Sequence, residues 1–183
     1  MTTIPARPRP EEYNAYYETY ISEVADGRLM ETLAAQRDET AALLAGVTEA
    51  QASYRYAEGK WSLKEVIGHV ADAERIFAYR ALRIARGDET PLASFDENAY
   101  VPASGCGRRT LPEIAHELRA VREATIALMT SLDEAAWLRV GTASGKPVSV
   151  RALGYIIAGH ERHHLRVLRE RYLNHVATPS DSR

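Results

Sequence analysis

The residues best suited to chemistry are histidines. Gly159-His160-Glu161-Arg162-His163-His164 contains an His-x-x-x-His step, which on an α-helix sets two imidazoles one turn apart on the same face, a spacing that can grip one divalent transition metal. At 100° per residue, Leu153, Ile156, Ile157, His160, His164, Val167 and Leu168 fall within a sector of roughly 120°, so both histidines lie inside an apolar stripe. His163 sits about 80° from the centre of that stripe and is expected to flank the pair rather than join it.

A third candidate occurs in Gly68-His69-Val70-Ala71-Asp72-Ala73-Glu74. Val66, Val70, Ala73, Phe77 and Ile84 define a buried side, with His69 roughly 70° from its middle and able to point toward a facing helix. Neutral imidazoles of His69, His160 and His164 would leave at least one coordination position open to water or substrate, as catalytic sites do.

Plainer readings exist. A lone His69 would be a core or edge histidine bonded to a carbonyl, and two histidines four apart also occur on solvated surfaces. Two unpartnered imidazoles on an apolar face, however, would each cost about 1–3 kcal/mol, and a shared ion removes that cost. Asp72 and Glu74 could orient a bound water or a ligating imidazole, although carboxylates near Arg75 and Arg80 are more commonly solvated or ion-paired. Arg162 and Arg166 are expected to face solvent, with anion binding as the alternative. Trp61 and Trp137 should seal the ends of a core.

These residues need helices to hold them. Residues 1–10 carry Pro5, Pro8 and Pro10 and predict a flexible arm. Tyr13, Tyr16, Tyr17, Tyr20, Ile21 and Val24 recur at helical spacing and predict a short helix ended by Asp26-Gly27. Four longer helices follow. The first spans about 28–45, burying Leu29, Met30, Leu33, Leu43, Leu44 and Val47. The second runs from a capping box at Ser62–Glu65 to near Gly87, and the third starts at a second box, Thr110–Glu113, with Pro112 near its first position. The third buries Leu111, Ile114, Leu118, Val121, Thr125, Leu128 and Leu132, and the fourth, capped by Ser149, reaches about Leu173. No segment shows sustained period-two alternation. The link 87–109 is too long for a hairpin between neighbouring helices and is a candidate crossover, while 133–148 is expected to be irregular. The fold class is therefore all-α: an antiparallel four-helix bundle with an extra N-terminal helix, a single domain over 11–175 and a disordered tail at 176–183.

Bulk properties exclude other classes. With 183 residues, 45% hydrophobic and 26% charged, the chain supports one packed domain. Net charge −2, with Lys and Arg dispersed among Asp and Glu, lacks the concentrated positive charge of a nucleic-acid binder. Cys106 is the single cysteine, so no intrachain disulfide can form. It lies between Gly105 and Gly107 in the long link, where a thiol could be exposed, and no nucleophilic role is assigned to it. The N-terminus has no signal-like apolar stretch and no run is long enough to span a membrane, so a cytoplasmic location is expected.

The sequence resembles the DinB/YfiT-like putative metalloenzyme superfamily. The likeness is carried by Tyr17-Glu18-Thr19-Tyr20-Ile21, by Lys60-Trp61-Ser62 leading into Gly68 through Glu74, by Phe95-Asp96-Glu97-Asn98, and by Gly159 through His164. It implies a zinc or nickel ion bound by His69, His160 and His164, and sets the loop with Asp96, Glu97 and Asn98 near the pocket mouth. Asp72 and Glu97 are then the candidate catalytic carboxylates. The implied chemistry is first thiol-dependent S-transfer with a low-molecular-weight thiol as cosubstrate, and second metal-dependent hydrolysis, on a small-molecule substrate and with a homodimer plausible. In either, the metal would lower the pKa of a thiol or water. A non-catalytic metal- or ligand-binding bundle, and a metal-free bundle whose histidines only pack, stand as alternatives; imidazole suits zinc, nickel, copper and iron alike.

Overall fold

The computed structural model describes residues 6–174. The first five residues of the predicted arm and the predicted tail at 176–183 lie outside them. The chain forms 3₁₀ turns at Pro10–Glu12 and Ala15–Tyr17, α1 (Glu18–Ile21), α2 (Leu29–Ala45), α3 (Glu49–Ser53), α4 (Leu63–Ala85), α5 (Glu97–Ala103), a 3₁₀ turn at Cys106–Arg108, α6 (Leu111–Thr130), α7 (Glu134–Leu138), a hairpin of β1 (Val140–Ala143) and β2 (Lys146–Ser149), and α8 (Val150–Val167), which widens into a π-helical turn at Leu168–Leu173.

The helix starts follow their caps. Ser62 accepts from the Glu65 amide while the Glu65 carboxylate accepts from the Ser62 amide at 2.7 Å, and Thr110 and Glu113 repeat the exchange at 2.8 Å. Ser149 caps α8 by accepting from the Ala152 amide at 3.0 Å. Each such cap contributes about 1 kcal/mol.

Side-chain pairings give the direction of each long helix. α4 and α8 run oppositely, since the Tyr172 hydroxyl beyond α8 donates to the Trp61 carbonyl before α4 at 2.8 Å. α2 and α6 also run oppositely: Arg122 reaches the Leu33 carbonyl and Arg119 reaches Asp38. By contrast α4 and α6 run the same way, with Lys64 on the Arg109 carbonyl at 3.0 Å and Glu74 on Arg122 further along. So do α2 and α8, where Leu29 packs on Gly154, Gln36 donates to the Ala158 carbonyl at 2.8 Å and Thr40 to Glu161 at 2.6 Å. The expected antiparallel arrangement therefore holds for two neighbouring pairs and fails for the other two. Parallel neighbours require the chain to return the length of α4, roughly 34 Å at 1.5 Å per residue. The long link does this: Leu92 pairs with the hairpin, Phe95 faces Arg80, Cys106 packs on Gly68, and Arg109 meets Lys64.

Three further expectations are corrected. The stretch 133–148 is ordered as α7 and a hairpin, turned at Ser144 and Gly145 with φ of 52° and 72°, the left-handed pair that matches strand twist. Four-residue strands interrupted by Gly141 and Pro147 are too short to show alternation. The tyrosine-rich segment is not one helix, because Asn14 caps a new turn by accepting from the Tyr16 amide at 3.0 Å. Ahead of that segment, Arg7 of the predicted arm bonds Asp26 and the Val24 carbonyl, and Glu12 pairs with Arg151. Cys106 is buried, not exposed, because it fills the space left by Gly68.

The core divides into two apolar clusters. One contains Ile21, Leu33, Phe77, Trp137 and Leu153, the other Leu44, Val70, Leu118, Leu165 and Tyr172. Along every long helix the changeover falls at buried polar residues: Gln36 and Thr40 on α2, Glu74 on α4, Arg122 on α6, His160 and Glu161 on α8. Arg122 donates to both oxygens of Glu74 at 2.8 Å and lies 2.7 Å from Glu161. A desolvated charge is costly without a partner, so this layer ties together side chains from all four helices. Among the described residues no helix is long and apolar enough to cross a membrane.

Candidate metal centre

Both histidine-bearing segments begin at a glycine that admits a close neighbour. A Cβ on Gly68 would lie 2.3 Å from the Cys106 sulfur, and one on Gly159 would lie 1.9 Å from the Tyr20 carbonyl oxygen. The link thus presses onto α4 beside His69, and α1 presses onto α8 beside His160. His69 and His160 are 8% and 5% exposed, and His164 is half-buried.

The three imidazoles converge. His160 Nε2 lies 3.1 Å from His69 Nε2 and 3.1 Å from His164 Nε2, and one nitrogen from each lies within 4.8 Å of the others. His160 Nε2 carries either one proton or one in-plane lone pair, so it can make one well-directed hydrogen bond, and hydrogen bonding accounts for only one of the two contacts at a time. One cation does fit. Nitrogen ligands bind zinc at about 2.0–2.1 Å, and a 3.1 Å separation then subtends an angle of roughly 100° at the ion, between octahedral and tetrahedral values.

The electrostatics favour the ligand form of each ring. Burial holds His160 well below the ordinary histidine range, reinforced by His164 and His69. Burial, then the charges of His69 and His163, lowers His164 to about 3. His69 is also lowered by burial, with Glu97 pulling the other way. Neutral imidazoles offer lone pairs to a metal at neutral pH.

Aromatic rings wall the trio. Trp61 lies 5.0 Å from His69, Tyr20 5.2 Å and Phe77 6.0 Å from His160. The open side is a cavity of about 350 Å³ lined by Tyr56, Lys60, Trp61, Asn98, His163 and His164. His163 belongs to this wall and not to the trio; its ring meets Tyr20 and His164, and burial lowers its pKa.

The remaining candidates separate. Glu97 opens α5 one residue before Asn98, and its charge acts on His69, Tyr17 and Tyr20. Asp72 pairs with Arg75 at 3.2 Å and lines a different groove with Tyr100 and Ser104; burial raises its pKa against the pull of Arg75. Asp96 is spent as the α5 cap, accepting from the Asn98 amide. Arg162 donates to the Glu23 carbonyl and Arg166 pairs with the Glu23 carboxylate, so neither faces solvent unengaged.

The buried layer of Gln36, Thr40, Glu74, Arg122 and Glu161 escaped the sequence reading as a unit. A signal existed: Glu161 follows Ile157 by four, Arg122 follows Leu118 by four and Glu74 follows Val70 by four, each at the edge of an apolar stripe, roughly 70–80° from its centre.

The profile of the DinB superfamily matches residues 32–168. Among curated proteins nothing matches. Of solved structures, YfiT from Bacillus subtilis, a probable metal-dependent hydrolase with an unusual four-helix bundle topology, superposes with a TM-score of 0.68 at 19% identity, covering 92% of each chain. A DinB-like protein from Bacillus subtilis, YjoA, superposes with a TM-score of 0.59 at 22% identity, covering 84% of this chain and 94% of its own.

Proposed function

The chain belongs to the DinB superfamily, and on that premise we propose that it is a metal-dependent hydrolase whose ion is held by His69, His160 and His164. The observation that carries the reading is the pair of 3.1 Å contacts that bring three neutral ring nitrogens together. A divalent ion there, zinc or nickel first, supplies Lewis acidity, which lowers the pKa of a coordinated water or thiol toward neutrality.

The protein's own groups have distinct tasks. His164 presents the centre to the cavity, and Tyr56 and Trp61 provide apolar walls for a small substrate. Glu97 is the proton acceptor we assign, because it opens α5 next to Asn98, which lines the cavity. Asp72 is assigned its ion pair with Arg75 and no catalytic step. Hydrolysis is ranked ahead of thiol transfer, the reverse of the order drawn from the resemblance, because YfiT is a probable hydrolase. Thiol transfer is the second reading, favoured by Lys60 at the cavity wall, which suits a carboxylate-bearing thiol.

The test is elemental analysis of protein purified without a histidine tag, followed by turnover of ester and amide substrates with and without added thiol. Near-stoichiometric metal is expected, lost on His69→Ala, His160→Ala or His164→Ala and retained in His163→Ala. Glu97→Gln should lower turnover while keeping the metal. Equal metal loss from His163→Ala would overturn the ligand assignment, and turnover that requires thiol would select the second reading.

A further inference from the structure

Among the described residues three cationic side chains are buried to 5% exposure or less: Lys64, Arg80 and Arg122. Lys64 has Glu49 at 2.5 Å, and Arg122 has Glu74 and Glu161. Arg80, 3% exposed, has no carboxylate partner among the described residues. Its Nη2 donates to the Ala93 carbonyl at 2.6 Å and to the Ser144 hydroxyl at 3.2 Å. The Tyr17 side chain lies beside it on the same cavity wall, and the rings of Phe77 and Phe95 lie 5.9 Å from it. Neutral acceptors and ring faces compensate a buried guanidinium less completely than an anion does.

The same guanidinium borders a cavity of about 110 Å³ between the tyrosine-rich segment and the hairpin, lined also by Asn14, Tyr16, Tyr17, Ser144 and Lys146. Asn14 spends its side-chain oxygen on the Tyr16 amide, which leaves its amide group as a donor. Two cations, an amide and three hydroxyls thus border a space large enough for a few heavy atoms. No carboxylate lines it. Glu97 makes no ion pair with Arg80; its charge acts weakly on Tyr17.

We propose that this cavity is a binding site for a small oxyanion, a carboxylate or a phosphate group, held by Arg80 and Lys146 with Tyr17 and Ser144 as hydrogen-bond partners. No residue lining it lines the histidine cavity, and the Phe77 ring stands between the two, 5.9 Å from the guanidinium and 6.0 Å from the His160 ring; anion binding there does not presuppose the function proposed above. An anion there would complete the charge of Arg80 and clamp the hairpin to α4.

The test is calorimetric titration of the full chain with inorganic phosphate and, separately, with acetate, at constant ionic strength set by chloride. Saturable one-site binding of at least one anion is expected, accompanied by a rise in melting temperature. Affinity should fall at least tenfold in Arg80→Met and about threefold to tenfold in Lys146→Met. Phosphate alone would identify a phosphate group as the ligand, acetate alone a carboxylate, and both a general oxyanion site. Lys146 is exposed, so Lys146→Met keeps the test valid if Arg80→Met fails to fold. Absence of saturable binding to either anion, unchanged affinity in Lys146→Met, or binding abolished by His164→Ala with Arg80 intact would overturn the proposal.

Discussion

Replacing Gly159 by alanine tests whether the seat of α1 on α8 is what shelters His160. In an ordinary helix interior this change is favourable by about 1 kcal/mol, since glycine is the poorer helix former. Here the new Cβ would sit 1.9 Å from the Tyr20 carbonyl oxygen and 2.4 Å from its carbon. Ordinary contact begins near 3.4 Å, so α1 must retreat by roughly 1.5 Å, and the obstacle is main chain that no rotamer can remove. Overpacking typically costs 1–3 kcal/mol, and a backbone clash belongs at the upper end. Retreat would also loosen Ile21 and Val24, both fully buried, each worth up to about 1.5–3 kcal/mol if exposed. Net destabilisation of about 2 kcal/mol or more is expected after the propensity gain, and melting should drop by roughly 4–8 °C. Thermal and urea unfolding measure it, with Gly107→Ala as the control because nothing lies within 4 Å of its added Cβ. A Gly159→Ala protein as stable as the parent, with α1 amides still protected from exchange, would refute the close approach.

Arg122→Met should destabilise by about 3–5 kcal/mol, because Glu74 and Glu161 are left buried without their shared guanidinium; urea unfolding checks this, and a loss under 1 kcal/mol would show that the layer is solvated. Metal-free protein should lose stability as pH falls. His164 has its folded-state pKa lowered to about 3, below the ordinary value of about 6.5, so its contribution is complete above about 6.5 and declines below it as the unfolded chain takes up protons first. Comparing pH-dependent unfolding of the parent with His164→Ala should give a shallower slope for the variant, and identical slopes would contradict the burial of that ring. Cys106, packed against Gly68, should react with a thiol reagent only at the rate of opening, so fast labelling of the folded protein would count against its placement.

Much of this protein is local and so is written in the chain. Capping boxes at Ser62 and Thr110 and the cap at Ser149 announce helix starts because their hydrogen bonds span only three residues. The apolar stripe carrying His160 and His164 needs nothing beyond helical rotation, which also puts His69 at the edge of its own stripe; resemblance to a known superfamily joined the three as one ligand set. Other features depend on what lies opposite. Gly68 and Gly159 acquire meaning only when the Cys106 sulfur and the Tyr20 carbonyl arrive against them. Helix direction was hidden because a stripe looks the same whichever way its neighbour runs; the parallel pairing of α4 with α6 is fixed by contacts such as Lys64 with the Arg109 carbonyl. Glu74, Arg122 and Glu161 stand at the edges of apolar stripes, where one helix by itself does not decide between burial and solvent. Packing turned them into one buried layer, because each offsets the desolvation of another across helices that sequence alone leaves apart.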